Sequence, residues 1–269
     1  MKLTHGRTLA VRYGPRESQS AELHLPSGEG PHPVVALLHG GFWRASQDRE
    51  SMRPLARDLA RHGFAALNLE YRRIGEPEAG WPGTFLDAAD GVSLAEQLPD
   101  LDARRVAVVG HCSGGHLALW AAAWLSGLRF GAQAGTRVVR AVVTLGAVTD
   151  LRAAERDALD LPAPLAPADG PRAAVALLGG ASVAVAGRYR LGSPLDLLPL
   201  GRETAQLLVH GAADEIVPLD HALRYARRAE QVGDCVRLLR YPGMGHFDML
   251  DPGHPAWRAS LRHLHENLL

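Results

Sequence analysis

The sequence predicts an α/β fold with a mostly parallel sheet covered by helices on both faces. Three observations lead there. Short apolar runs recur along the chain, segments of helical spacing separate them, and one run passes through a glycine-crowded turn straight into a helix. The earliest segments, around 8–13 and 20–25, suit an antiparallel edge pair. The first long run is P-V-V-A-L-L-H (33–39), followed by F-A-A-L-N-L (64–69), R-V-A-V-V (105–109), R-A-V-V-T-L (140–145), A-Q-L-L-V-H (205–210) and V-R-L-L-R-Y (236–241). Strands buried on both faces read this way, without polar alternation. Helical patterns fall at 51–62, 84–98, 115–126 and 219–232, and the tail from Pro255 supplies a last helix.

Residues 151–200 break the rhythm. This stretch is rich in Ala, Leu, Pro and Gly, and it reads as an insertion packed over the sheet's edge, a candidate lid, in a single domain spanning 1–269. A surface excursion without a substrate role is the alternative. At 269 residues the chain lies within the range of one large α/β domain.

Charge excludes several functions. The 29 acidic residues balance 29 basic ones, Lys2 is the only lysine and the arginines are scattered, so no polyanion-binding surface is expected and nucleic-acid binding is excluded. The N-terminus lacks the apolar core of a signal peptide, and no apolar run reaches the ~18 residues of a membrane span. The expectation is a soluble, cytoplasmic protein. Two cysteines, Cys112 and Cys235, are too few for a disulfide framework and lack metal-ligand spacing. The 13 histidines show no metal pattern, and there is neither a G-x-G-x-x-G fingerprint nor a Walker lysine, so no cofactor is expected.

The stretch G-H-C-S-G-G-H (110–116) carries the chemistry. A nucleophile elbow places its side chain on a strained strand-to-helix turn, with glycines two residues before and two after to let the backbone pack. With Cys112 at the apex, Gly110 and Gly114 occupy those places; with Ser113 there, His111 would replace the first glycine. Cys112 therefore fits the register and Ser113 does not. The strand should end at Gly110 and the helix begin near Gly115. A thiol at a helix N-terminus beside an imidazolium gives up its proton readily, which suits a nucleophile. Cys235, in an apolar strand, reads instead as a small buried hydrophobe.

A nucleophile needs a base, and the base needs an orienting group. Asp214 follows L-L-V-H-G just beyond a strand, and His246 follows L-L-R-Y-P beyond the next, in the order nucleophile, acid, histidine. The glycines around His246 suit a mobile, solvent-facing loop. Glu215, Asp248 and His254 are competitors of a kind that caps and tails commonly carry. For the oxyanion, H-G-G-F-W after the first long strand offers the backbone of Gly41 and Phe42, joined by Ser113, the residue after the nucleophile. Trp43, Arg44, Tyr71 and Trp81 fall in loops at the same end of the sheet and are candidate substrate-binding residues; Trp81 could equally anchor its loop. His111 and His116 read as packing or hydrogen-bonding residues.

With these residues in place the sequence resembles the α/β-hydrolase superfamily over essentially its whole length. H-G-G-F-W and G-H-C-S-G-G-H are similar to the esterase/lipase branch that includes kynurenine formamidase-like and hormone-sensitive-lipase-like enzymes, whose elbow usually reads G-x-S-x-G. The departure is the cysteine, which resembles the G-x-C-x-G elbow of dienelactone hydrolases and the cysteine box of polyhydroxyalkanoate synthases. The resemblance implies Cys112 as nucleophile, Asp214 as acid, His246 as base, and Gly41, Phe42 and Ser113 as oxyanion donors. It implies hydrolysis of an ester, lactone or amide-type carbonyl of a small acyl substrate through a thioester. Because thioesters yield to amines as well as water, an acyltransferase or cyclase is an alternative reading, and a hydrolase-derived binding protein a third.

Overall fold

The computed structural model describes residues 7–127, 139–160 and 172–269. Its strands are β1 (Thr8–Arg12), β2 (Ser20–His24), β3 (His32–Leu38), β4 (Ala65–Leu69), β5 (Leu101–His111), β6 (Ala141–Leu145), β7 (Ala205–Gly211) and β8 (Val236–Tyr241). They form one sheet in the order β1-β2-β4-β3-β5-β6-β7-β8. The expected edge pair at the start of the chain is β1 and β2, antiparallel, with β2 also antiparallel to β4. From β4 onward every pairing is parallel.

The helices are α1 (Arg53–Arg61), α2 (Gly83–Ser93), α3 (Ser113–Leu125), α4 (Leu151–Arg156), α5 (Ala173–Leu178), α6 (Ala186–Gly192), α7 (Pro194–Leu197), α8 (Asp220–Gln231) and α9 (Pro255–Leu268). Strand periodicity divides the apolar side chains between two cores. Val34, Ala36, Leu38, Val106 and Val108 face one layer, with Phe85 of α2, Leu117 of α3 and Tyr225 of α8. Val35, Leu37, Ala107 and Val109 face the other, with Leu55 and Leu59 of α1 and Trp257 and Leu261 of α9. The buried Trp257 Nε1 donates to Asp58 Oδ2 at 2.7 Å and so ties the last helix to α1. No helix among the described residues is long and apolar enough to cross a membrane.

Several boundaries differ from the sequence reading. β5 begins at Leu101 and runs through His111 rather than ending at Gly110, and α3 starts at Ser113 rather than near Gly115. α1 and α2 are shorter than their patterns, with 3-10 turns before and after them respectively. β8 was expected to be buried on both faces, but it ends the sheet, and Arg237 and Arg240 are exposed along it. Cys235, expected as a buried hydrophobe, is exposed one residue before that strand. An edge strand has no neighbour beyond it to remove its side chains from water.

The insertion at 151–200 falls partly outside the described residues, which omit 161–171. Its described part is α4 to α7, and it meets α3. Trp120 Nε1 and His116 Nε2, both on α3, donate to the carbonyls of Leu191 and Gly192 at 2.8 and 2.9 Å. The insertion is thereby anchored on the helix that leaves the central strand β5, close to the end of the sheet where the elbow lies.

Candidate active site

Steric demand explains each glycine of the elbow. A Cβ on Gly110 would lie on the Gly114 carbonyl, and one on Gly114 would lie on the carbonyls of Leu38 and His39. The chain can therefore turn here only with glycine at both places. Cys112 at the apex has φ 55° and ψ −120°, a strained conformation that costs on the order of 1–3 kcal/mol and needs surrounding structure to hold it. That support comes from Cys112 N donating to Leu145 O at 2.9 Å, while Cys112 O accepts from Gly115 N and His116 N. Ser113 sits below the apex, fully buried, with its hydroxyl 3.4 Å from the Trp43 amide, which donates to it.

Asp214 lies after β7 and His246 after β8, and the parallel pairing of those strands brings the two loops together. His246 Nδ1 donates to Asp214 Oδ2 at 2.7 Å. The other carboxylate oxygen accepts the amides of Ile216 and Val217, both at 2.9 Å, which fixes its orientation. Burial would push the Asp214 pKa up, but the hydrogen bond and charge of His246 and these two amides bring it below the ordinary carboxylate range. For His246 burial works downward, yet attraction to the Cys112 sulfur and the bonds to Asp214 and Cys112 raise it to about 10.

His246 is not solvent-facing as its flanking glycines suggested. Only 5% of it is exposed, because the His111 ring lies against it at 4.5 Å and the Phe247 ring meets it edge-on at 5.1 Å. His111 Nε2 also donates to the His246 carbonyl at 3.0 Å. Burial lowers the His111 pKa to about 3, so the ring is a neutral donor. Phe247 itself is exposed. The competing residues serve local structure: Asp248 accepts from Gly245 N, His254 caps α9 through Ala256 N, and Glu215 is exposed.

The loop after β3 runs through three consecutive residues with positive φ, Gly41 at 110°, Phe42 at 52° and Trp43 at 58°. Such a run turns successive amides toward one side. Among the described residues, the N–H groups of Gly41, Phe42 and Ser113 donate to no protein acceptor. Gly41 is obligatory, because the Gln47 side chain occupies the space a Cβ would need.

Two pairs escaped the sequence reading. His39, buried completely, meets Glu70 through its Nε2 at 2.7 Å and stacks on Tyr71 with ring centroids 4.4 Å apart. The available signal was an acidic residue directly after a wholly buried strand. Gly146, after β6, has φ 60°, and a Cβ there would come within 3.1 Å of Asp214 Oδ2 and 3.2 Å of His246 Nδ1.

The expected substrate-binding residues separate. Trp43 and Tyr71 are buried, Tyr71 donating from its hydroxyl to His39 O at 2.8 Å while the Trp43 indole N–H has no partner. Arg44 makes a two-pronged, nearly buried ion pair with Asp160 of the insertion at 2.7 and 2.6 Å. Trp81, half-buried, packs edge-on against Phe85 and Trp120. A surface groove of about 840 Å³ is lined by Glu70 and several arginines but by none of Cys112, Asp214 and His246. No cluster of three or more His, Cys, Asp or Glu arranged to hold a metal occurs among the described residues.

Residues 22–228, which hold the elbow, the loop after β3 and Asp214, match the BD-FAE family. The chain belongs to the BD-FAE family. This BD-FAE chain is 31% identical over 150 residues to the non-reducing polyketide synthase Preu6 of Preussia isomera, a stretch covering 51% of it and 6% of the synthase. It is 33% identical over 119 residues to human acyl-coenzyme A thioesterase 6, covering 44% of it and 26% of that protein. The BD-FAE chain thus spans only a small part of these curated relatives. Among solved structures, a truncated carbohydrate esterase from gut microbiota superposes with a TM-score of 0.82 at 20% identity, over 98% of this chain and 97% of that one. Carboxyl esterase 2 of Tuber melanosporum superposes with a TM-score of 0.72 at 21% identity, over 100% and 90%. The shared architecture is the α/β-hydrolase fold.

Proposed function

We propose that this BD-FAE member is an esterase-type hydrolase that works through Cys112, with His246 as base, Asp214 as its orienting acid, and the amides of Gly41, Phe42 and Ser113 as oxyanion donors. The observation that carries the reading is the 2.7 Å bond from His246 Nδ1 to Asp214, which leaves Nε2 for a thiol on a strained elbow. His246 takes the Cys112 proton, the sulfur attacks the carbonyl carbon, and negative charge moves to the carbonyl oxygen beneath the three amides. Collapse expels the leaving group, which receives the proton from His246, and a thioester remains. Water, deprotonated by His246, then attacks the thioester, releasing the acid and restoring the thiol. The substrate is a small acyl compound: an ester, lactone, thioester or amide-type carbonyl. Phe247 offers an exposed ring beside the base.

The cysteine places the chain apart from the serine enzymes of the esterase/lipase branch it otherwise resembles, the kynurenine formamidase-like and hormone-sensitive-lipase-like enzymes. The described part of the insertion, held on α3, fits a lid within one domain. A binding protein would have no chemical need for the buried Asp214–His246 pair. The test is intact-protein mass spectrometry after exposure to activated esters, lactones and thioesters. An acyl mass on Cys112, absent in His246→Ala, supports the reading; acylation elsewhere, or none, sinks it. An amide or ring as second product would identify transfer rather than hydrolysis.

A further inference from the structure

Both ring nitrogens of His39 face acceptors. Nδ1 lies 2.7 Å from the Gly40 carbonyl oxygen, and Nε2 lies 2.7 Å from Glu70 Oε1. A carbonyl oxygen has no proton to give, so Nδ1 carries one. Glu70 in turn receives the Tyr71 amide at 3.3 Å, the Arg49 amide at 3.2 Å and the Arg73 guanidinium at 3.3 Å. Burial opposes its charge, but the His39 bond and charge, Arg73 and the Arg49 amide outweigh burial and bring its pKa below the ordinary range. Glu70 is therefore a carboxylate, and it faces Nε2. His39 thus bridges a backbone carbonyl and a carboxylate, fully buried one residue from the loop that follows β3.

The Gly40 carbonyl belongs to the same peptide unit as the Gly41 N–H. A hydrogen bond to that oxygen from a ring whose other nitrogen faces a carboxylate draws electron density from the amide and leaves its N–H more positive, an effect strengthened by a dry surrounding. The preceding peptide is held likewise, by the Tyr71 hydroxyl on the His39 carbonyl. We infer that Glu70 and His39 are positioning residues for the oxyanion hole, fixing the plane of the Gly40–Gly41 peptide and polarising its N–H toward the substrate oxygen. The inference rests on the reading of Cys112 as nucleophile and Gly41 as donor.

A pair that merely stapled the loop would tolerate Glu70→Gln, which keeps an oxygen for Nε2 and removes only the charge. The two roles separate in the infrared. The protein and its Glu70→Gln and His39→Asn variants are rapidly mixed with p-nitrophenyl acetate labelled with carbon-13 at the carbonyl, and the thioester stretch on Cys112 is recorded together with acylation kinetics. Polarisation predicts a higher-frequency stretch in both variants than in the unsubstituted protein. Acylation should slow about tenfold in Glu70→Gln with KM within about twofold, a fraction of the effect of deleting a whole oxyanion donor. His39→Asn, which can still offer an N–H toward Gly40, should be similar, and His39→Leu about a hundredfold slower. An unchanged stretch and rate in a folded Glu70→Gln variant, or a loss carried wholly by KM, overturns the inference and leaves the thiol mechanism standing. Failure of the unsubstituted protein to take the acetyl group on Cys112 overturns both.

Discussion

His246 donates to Asp214 across 2.7 Å directly against the backbone of Gly146, where a Cβ would crowd both groups at 3.1–3.3 Å. The loops carrying Asp214 and His246 follow β7 and β8, and Gly146 follows β6. Replacing Gly146 by alanine would press a methyl within 3.3 Å of the carboxylate and of the imidazole, at a φ of 60° that L-residues rarely adopt. The strain alone costs roughly 1 kcal/mol, and the displaced ring should lower kcat about tenfold. Steady-state kinetics and thermal unfolding on Gly146→Ala check both; unchanged kcat would show that the loops set their own spacing.

The Cys112 sulfur is a main reason the His246 pKa is raised to about 10 against the opposing effect of burial. Its removal in Cys112→Ala should therefore lower the His246 pKa while the Asp214 bond persists. NMR titration of the ring in the two proteins reads the shift. An equal or higher value in Cys112→Ala would place the thiol out of contact with the imidazole.

Three buried histidines make the fold sensitive to acid. Burial lowers His111 to about 3 and His116 and His221 to about 4. In the unfolded chain each returns to the ordinary value near 6.5, so the unfolded state takes up protons first as the pH falls. Their contribution is complete above about pH 6.5 and is lost progressively down to about pH 4, at up to about 1.4 kcal/mol per pH unit for each ring. His246, shifted the other way, contributes stability below about pH 6.5 that is lost as the pH rises through about 10, so it adds no slope in the acid window. Urea unfolding at pH 7, 6 and 5 measures the slope. His116→Gln, whose amide can still donate to Gly192, should flatten it.

Arg44 and Asp160 are 9% and 4% exposed at their side chains and hold the loop after β3 to the insertion. Arg44→Met breaks this nearly buried, two-pronged pair and should destabilise the fold by more than loss of an exposed ion pair does. The double variant Arg44→Met/Asp160→Leu should recover much of that loss. Chemical unfolding of the single and double variants gives the coupling; simple additivity would mean the pair is independent of the fold's stability.

The fold was legible because its strands are consecutive apolar runs separated by helical patterns, and because Gly110 and Gly114 mark a turn that no other residue can make. Position within the sheet was not. V-R-L-L-R-Y has the composition of a central strand, and only the absence of a neighbour beyond β8 exposes Arg237, Arg240 and Cys235. His246 was misjudged because its own loop is glycine-rich while its burial comes from His111, on β5. The His39–Glu70 contact joins residues 31 apart through the β3–β4 pairing, and its one local sign is an acidic residue directly after the buried run of β4. Likewise, Gly146 follows an ordinary apolar strand, so its place beneath the acid and base emerges only from the packing of three loops.

The two thiols of this chain differ sharply, Cys112 being 2% exposed and Cys235 open to solvent. Every alkylating reagent therefore meets an internal reference in the same tube. The rate at Cys235 reports the reagent and the buffer, and the ratio of the two rates, read by peptide mapping, isolates what the protein does to its hidden sulfur.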